Sequence, residues 1–256
     1  GMITSMHIIV KADLETGYRA VNPANILFQT TPFDNDLVHH IRHLKGVRQA
    51  QGVFNMTLRV RSANGDWKPI EIQAVPDLDK KGMQINQVHL EQGVWPPGDH
   101  QIVVDDHKLE HLPTGVDGFI ELELPSGKTR QIKVVGIVND QTIGSTGAGG
   151  FFLAPIQGYI TLDTLEWLEY PQKLNLLYVT TDGDSNDTEW LRQVANQVSN
   201  AIEDNGQAIY LSAIRATNDH PNRVYVEALT AILVLLGFLV VFLSGFLITN
   251  TLSALL

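Results

Sequence analysis

The sequence predicts an α+β protein: a split α/β sandwich with an inserted β-rich lobe, followed by one transmembrane α-helix. Three observations predict it. A strand, helix, strand, strand pattern opens the polar part of the chain, and a strand, helix, strand pattern closes it. Beyond them, Ala228 to Ile248 is a run of 21 residues without a charge. At about 1.5 Å per residue, a helix of that length is roughly 30 Å long, enough to cross a hydrocarbon core.

The first residues are the least defined. Gly1 stands before Met2 as a cleavage scar would, and no signal peptide follows. Between Met6 and Tyr18, Ile8, Ile9 and Val10 favour a strand, whereas Ile9, Asp13, Glu15 and Arg19 are distributed as on a solvated helix, the reading adopted here. The stretch ANILFQT, from Ala24 to Thr30, reads as a buried strand. In TPFDNDLVHHIRHLKG, Thr31 is expected as N-cap, Pro32 at the first helical position and Gly46 as terminator, with Phe33, Leu37, Ile41 and Leu44 as the apolar face.

Two strands, near Gln49 to Arg61 and Lys68 to Val75, flank the turn SANGDW, where Asn64-Gly65 is the hairpin signal. GVWPPGDHQIVVDD then turns into a short strand and HKLEHL forms a brief helix. ELELPSGKTRQIKVVGIV is two strands across a Pro-Ser-Gly turn, and QTIGSTGAGGFF is a flexible loop. GYITL is a strand and DTLEWL a short helix. The last polar portion is a βαβ unit: LNLLYVTT, then DTEWLRQVANQVSNAIEDNG with Leu191, Val194, Val198 and Ile202 on its buried stripe, then QAIYLSA.

Composition narrows the function classes. All of the 28 acidic and 18 basic residues, a formal charge of −10, precede Ala228. Such a surface gains no counterion-release energy from phosphate backbones, so nucleic acid is not an expected partner. With no cysteine, disulfides, iron–sulfur clusters, thiol nucleophiles and cysteine-based zinc sites are excluded.

Few residues suggest chemistry. His39 and His43 lie four apart on one helix face, as two metal ligands would, but a third ligand at comparable spacing is missing and no metal site is assigned. Gly127-Lys128-Thr129 ends like a phosphate-binding loop, yet Leu122 stands where the earlier glycine is required and the context is strand-turn-strand. Asp105-Asp106 and the run Asp182, Asp184 and Asp187 are expected as solvated caps rather than calcium ligands. No catalytic residue, cofactor-binding residue or cofactor is nominated.

In the apolar tail, Thr230, Gly237, Ser244 and Thr251 recur every seven positions, which sets small residues in one narrow stripe among large apolar ones. Such a stripe lets a second membrane helix approach closely, so it predicts a helical neighbour. TLSALL ends without a cap or charge, as a continuing helix would, and the chain reads as a fragment.

The polar part followed by LVVFLSGFLITNTLSALL resembles FtsX-like permeases of ABC transporters. The residues that carry the resemblance are Gly245-Phe246-Leu247-Ile248 with Asn250-Thr251-Leu252-Ser253, the turn Glu91-Gln92-Gly93-Val94-Trp95-Pro96, and Lys133-Val134-Val135-Gly136-Ile137-Val138. Pro32-Phe33-Asp34-Asn35-Asp36-Leu37-Val38 also resembles the opening of the ectodomain in a bacterial subgroup.

The resemblance implies a MacB-like periplasmic core domain outside a bacterial cell membrane, with a porter-like lobe split around an inserted one. On that basis residues 1–23 are expected as a linker from a first helix, 24–78 and 170–227 as the two parts of the porter-like lobe, 79–169 as the inserted lobe and 228–256 as the transmembrane helix. It further implies transport without catalysis by this chain. The partners would be an ABC ATPase subunit or domain, a second permease copy and membrane lipid. The alternative is a single-span anchored sensor whose outer domain binds a ligand.

Overall fold

The computed structural model describes residues 17–75, 83–143, 154–218 and 223–255. The helix or strand expected between Met6 and Tyr18 therefore falls almost wholly outside the described residues, as does most of the loop QTIGSTGAGGFF. The fold is α+β, as the sequence predicts.

Its strands are β1 (Ile26–Phe33), β2 (Val47–Arg61), β3 (Trp67–Val75), β4 (His89–Gly93), β5 (Gln101–Asp105), β6 (Phe119–Glu123), β7 (Thr129–Asn139), β8 (Ile156–Thr161), β9 (Leu174–Thr181) and β10 (Ile209–Ile214). The helices are α1 (Asn35–Arg42), a 3-10 turn over Asp106–His111, α2 (Asp163–Trp167), α3 (Thr188–Asp204) and α4 (Arg223–Leu255).

One lobe is built from the two ends of the polar chain. Its strand order is β10-β1-β9-β2. β9 lies antiparallel between β1 and β2, and β1 lies antiparallel between β9 and β10, so two βαβ units interlock. Both helices cover the same face. Leu37, Val38 and Ile41 of α1 and Val194, Val198 and Ile202 of α3 pack on Ile26, Phe28, Leu177 and Val179. The 3.6-residue spacing of these apolar positions is what makes one face of each helix burial-competent.

The second lobe is a closed ring. β2 pairs with β3, β3 with β8, β8 with β5, β5 with β7, β7 with β6, and β6 returns to β2 through Arg59↔Glu123 and Val60↔Leu122. Closure leaves none of these strands with a free edge within the ring. Alternate residues point inward, so Met56, Leu58, Val60, Ile70, Ile72, Ile102, Ile120, Leu122, Ile132 and Ile160 form one apolar barrel core. β2 belongs to both lobes: Val47 to Val53 pair with β9, and Phe54 to Arg61 pair with β3. At this fork the side chain of Asn175 accepts from Asn55 N (2.7 Å) and donates to Asn55 O (2.9 Å), so an amide continues the ladder where the backbones part.

A third apolar layer joins the lobes. Leu27, Leu176 and Tyr178 from the uncovered face of the first sheet meet Val103, Val135, Val138 and Tyr159 from the outside of the barrel. The turn after β4 depends on two glycines. A Cβ on Gly93 would lie 2.2 Å from Val135 O and one on Gly136 would lie 2.4 Å from Val94 O, so only glycine permits the backbones of β4 and β7 to approach this closely.

The first helix starts later than the sequence reading placed it. Thr31, Pro32 and Phe33 belong to β1, and Asp34 is the N-cap of α1. Thr31 is drawn into the sheet because its N–H donates to Ala208 O (2.9 Å) and its hydroxyl to Gln207 (2.7 Å). Pro32 is tolerated there because β1–β9 pairing is interrupted between Gln29 and Phe33, where no ladder N–H is required of it.

Candidate functional site: the junction of body and apolar helix

The first and last strands of the polar body lie side by side, with Ile26 opposite Ile214. Asn25, just before β1, is 1% exposed. Its Nδ2 donates to Thr217 Oγ1 (2.9 Å) and to Arg215 O (3.4 Å), and its Oδ1 accepts from Thr181 N (3.2 Å). Its backbone N–H donates to Val179 O (2.9 Å), and its carbonyl accepts from Arg215 N (2.7 Å). The segment leaving β10 is held on its other side as well, by Thr217 N to Ser185 O (3.1 Å) and Asn218 N to Asn186 Oδ1 (3.0 Å).

Helix α4 follows. Its membrane-compatible part, Glu227–Ile248, has 22 residues, a mean hydropathy of 2.9 and no buried residue in its most apolar window. Leu233, Leu235, Leu236 and Phe238 are 49 to 72% exposed, although they point in different directions around the helix. A core helix of a water-soluble protein buries at least one face. This one presents apolar side chains all round, and only a nonpolar solvent matches such a surface.

The four stripe residues all lie within the unbroken helix. Thr230 and Gly237 are half-buried, Ser244 and Thr251 are exposed, and Thr251 Oγ1 donates to Leu247 O at 2.8 Å.

A buried polar cluster sits at the joint between the lobes, and the sequence reading did not find it. Asp140 receives bonds from Tyr159 OH (2.5 Å), Thr142 N (2.7 Å) and Thr142 Oγ1 (2.6 Å), and its own N–H donates to Asp105 Oδ2 (2.7 Å). Asp105 also accepts from His107 N (2.9 Å) and from the His107 ring. Burial raises the Asp140 carboxyl above the usual range, against the lowering effect of the Thr142 and Tyr159 hydrogen bonds. Burial, then the nearby Asp140 and Asp105 charges, push the Tyr159 phenol up. Asp106 is raised too, by partial burial first and by the charges of Asp105 and Glu91.

Other expected features resolve as follows. Asp105 caps the 3-10 turn as expected but is 1% exposed rather than solvated, because Val103 and Val104 carry the end of β5 into the apolar layers. Asp187 caps α3 from solvent, accepting from Glu189 N (3.0 Å) and Trp190 N (3.1 Å). The rings of His39 and His43 stack with centroids 6.0 Å apart, and His43 Nδ1 donates to His39 O (2.7 Å). Among the described residues no group of three or more His, Asp or Glu is placed to hold a metal. Gly127 occupies the left-handed region at φ +79° in the β6–β7 hairpin. A shallow concavity beside Asn25, lined by Tyr18, Leu27, Asn86, Tyr178 and Arg215, has room for about one water.

Together these features define an acidic α+β body tied by a strapped linker to an apolar helix of membrane-spanning length. No protein-family model and no curated protein matches the sequence. Among solved structures, the chain is similar to the extracellular domain of the noncanonic ABC-type transporter YknZ from Gram-positive bacteria. There the TM-score is 0.49 at 10% identity, covering 73% of this chain and 100% of that one. It is also similar to the periplasmic region of MacB from Actinobacillus actinomycetemcomitans, with a TM-score of 0.44 at 11% identity, covering 72% of this chain and 86% of that one.

Proposed function

We propose that this chain is the extracytoplasmic body and a membrane-spanning helix of an FtsX-like permease of an ABC transporter, with a MacB-like core domain. In this reading the body stands outside a bacterial membrane, and a partner ATPase hydrolyses ATP on the cytoplasmic side. A second permease copy completes a symmetric pair. Movement of α4 shifts the outer body and drives export or extraction of a substrate, so the chain transmits force and needs no catalytic residue or cofactor of its own.

The division into a porter-like lobe and an inserted lobe belongs to the same proposal, with the expected boundary at residue 78 moved back to the fork at Phe54, because Phe54 to Val75 pair into the ring rather than with β9. The observation that carries it is an apolar helix, with no buried residue in its most apolar window, joined to a body whose first and last strands are neighbours. That geometry suits a domain inserted between two membrane helices.

The stripe Thr230, Gly237, Ser244 and Thr251 is the proposed contact with a neighbouring helix. A photo-crosslinker at Gly237 in the full-length protein, in native membranes, is expected to capture another membrane helix. The same group at Phe242, on the other side of α4, is expected to capture lipid. Capture of lipid alone from both positions would count against a multi-helix permease.

A further inference from the structure

We propose that Asn25 is the clasp that fixes the outgoing linker to the sheet, so that displacement of α4 is passed to β1 and β9 through one buried amide. Asn25 is thus a positioning residue for the coupling described above, and its role in force transfer rests on that reading.

Apolar packing holds this corner only in part, through Ile209 and Ala213 of β10. β10 is an outer strand of the sheet order, and Tyr210, Leu211 and Ile214 are 69%, 40% and 38% exposed. Hydrogen bonds do the rest. The Asn25 side chain and backbone together join the approach to β1, the end of β9 and the Arg215–Thr217 linker, with donor–acceptor distances of 2.7 to 3.4 Å.

An amide suits the position because it donates to Thr217 and Arg215 while accepting from Thr181. Aspartate would lose both donated bonds, and leucine would leave the Thr181 N–H without its acceptor. With the linker bonded to Ser185 and Asn186 on its far side, strain that reaches Asn218 has little slack to take up before it reaches the sheet.

The test is hydrogen exchange of the Arg215–Asn218 segment in the full chain reconstituted in phospholipid nanodiscs. Thr217→Val removes the hydroxyl partner with a near-isosteric side chain and leaves Asn25 and the core intact, whereas Asn25→Ala removes the clasp itself. Each is expected to speed linker exchange about tenfold, with the β7 amides at their parental rates. The double variant should exchange no faster than Asn25→Ala alone.

The proposal is overturned if Thr217→Val leaves the linker at its parental rate. It is also overturned if Asn25→Ala accelerates linker and barrel equally, which is general destabilisation. Failure of the transport reading would appear in the Gly237 crosslink and leave these rates unchanged. Failure of the clasp would appear in the rates and leave the crosslink unchanged.

Discussion

Replacing Tyr159 by Phe tests how the two lobes are joined. The ring is 1% exposed and packs edge-on to Trp95, with centroids 5.7 Å apart at 86°, contacts that phenylalanine retains. What is lost is the 2.5 Å bond from the hydroxyl to Asp140. Asp140 keeps its two bonds from Thr142, so the variant should fold. Losing a hydrogen bond to a charged group costs about 1.5–3 kcal/mol. For a body of this size that is a fall in Tm of about 4–8 °C, taking the loss near 2 kcal/mol.

The deficit should depend on pH. Asp140 has a raised carboxyl, so the folded protein binds its proton more tightly than the unfolded chain does. Stability then falls as pH rises from the ordinary carboxylate value through the folded one. The Tyr159 bond lowers the Asp140 value, and removing it carries that window further upward. The loss should therefore be smallest below about pH 4, where the carboxyl is protonated in both states, and grow towards neutrality. Thermal unfolding by near-UV circular dichroism across this range measures it. A deficit that is absent, constant with pH, or larger in acid would refute the reasoning.

Two further substitutions probe the packing and capping of the first lobe. Gly52→Ala would place its Cβ 2.6 Å from Leu174 Cδ1 and 3.0 Å from Val38 Cγ2, so overpacking should cost about 1–3 kcal/mol in urea unfolding. Asp187→Ala removes the cap that holds the Glu189 and Trp190 amides of α3 and should cost about 1 kcal/mol in the same assay, with the barrel amides keeping their exchange rates.

Local patterns in the sequence were enough to locate most elements. The alternation of Met56, Leu58 and Val60 with polar neighbours, the Asn64-Gly65 turn and the stripe Leu191, Val194, Val198 and Ile202 depend only on near neighbours in the chain. The start of α1 was misread because Thr31 and Pro32 carry good capping chemistry locally. Bonds to Ala208 and Gln207, almost 180 positions away, override it.

Ring closure through two β2–β6 pairs was invisible for the same reason, since neither strand carries a mark of the other. Asn25 and Asp140 were missed because an asparagine before a strand and an aspartate after one both read as ordinary turn residues. Their roles come from Arg215 and Thr217 in one case and Tyr159 in the other, partners that no spacing rule supplies. The apolar stretch was the most legible feature, because the solvent it requires is set by its own side chains.

The central claim is that α4 resides in a bilayer while the acidic body stands in water. With no native cysteine, single cysteines placed at Leu235, Val240 and Leu247 can each carry one spin label, with Glu203 as the body reference. Oxygen and nickel-chelate accessibilities in phospholipid vesicles should show the three helix labels open to oxygen and shielded from the chelate, deepest near Val240, and Glu203 the reverse. A vesicle-free, monodisperse chain whose helix labels are shielded from both reagents by its own strands would contradict the account.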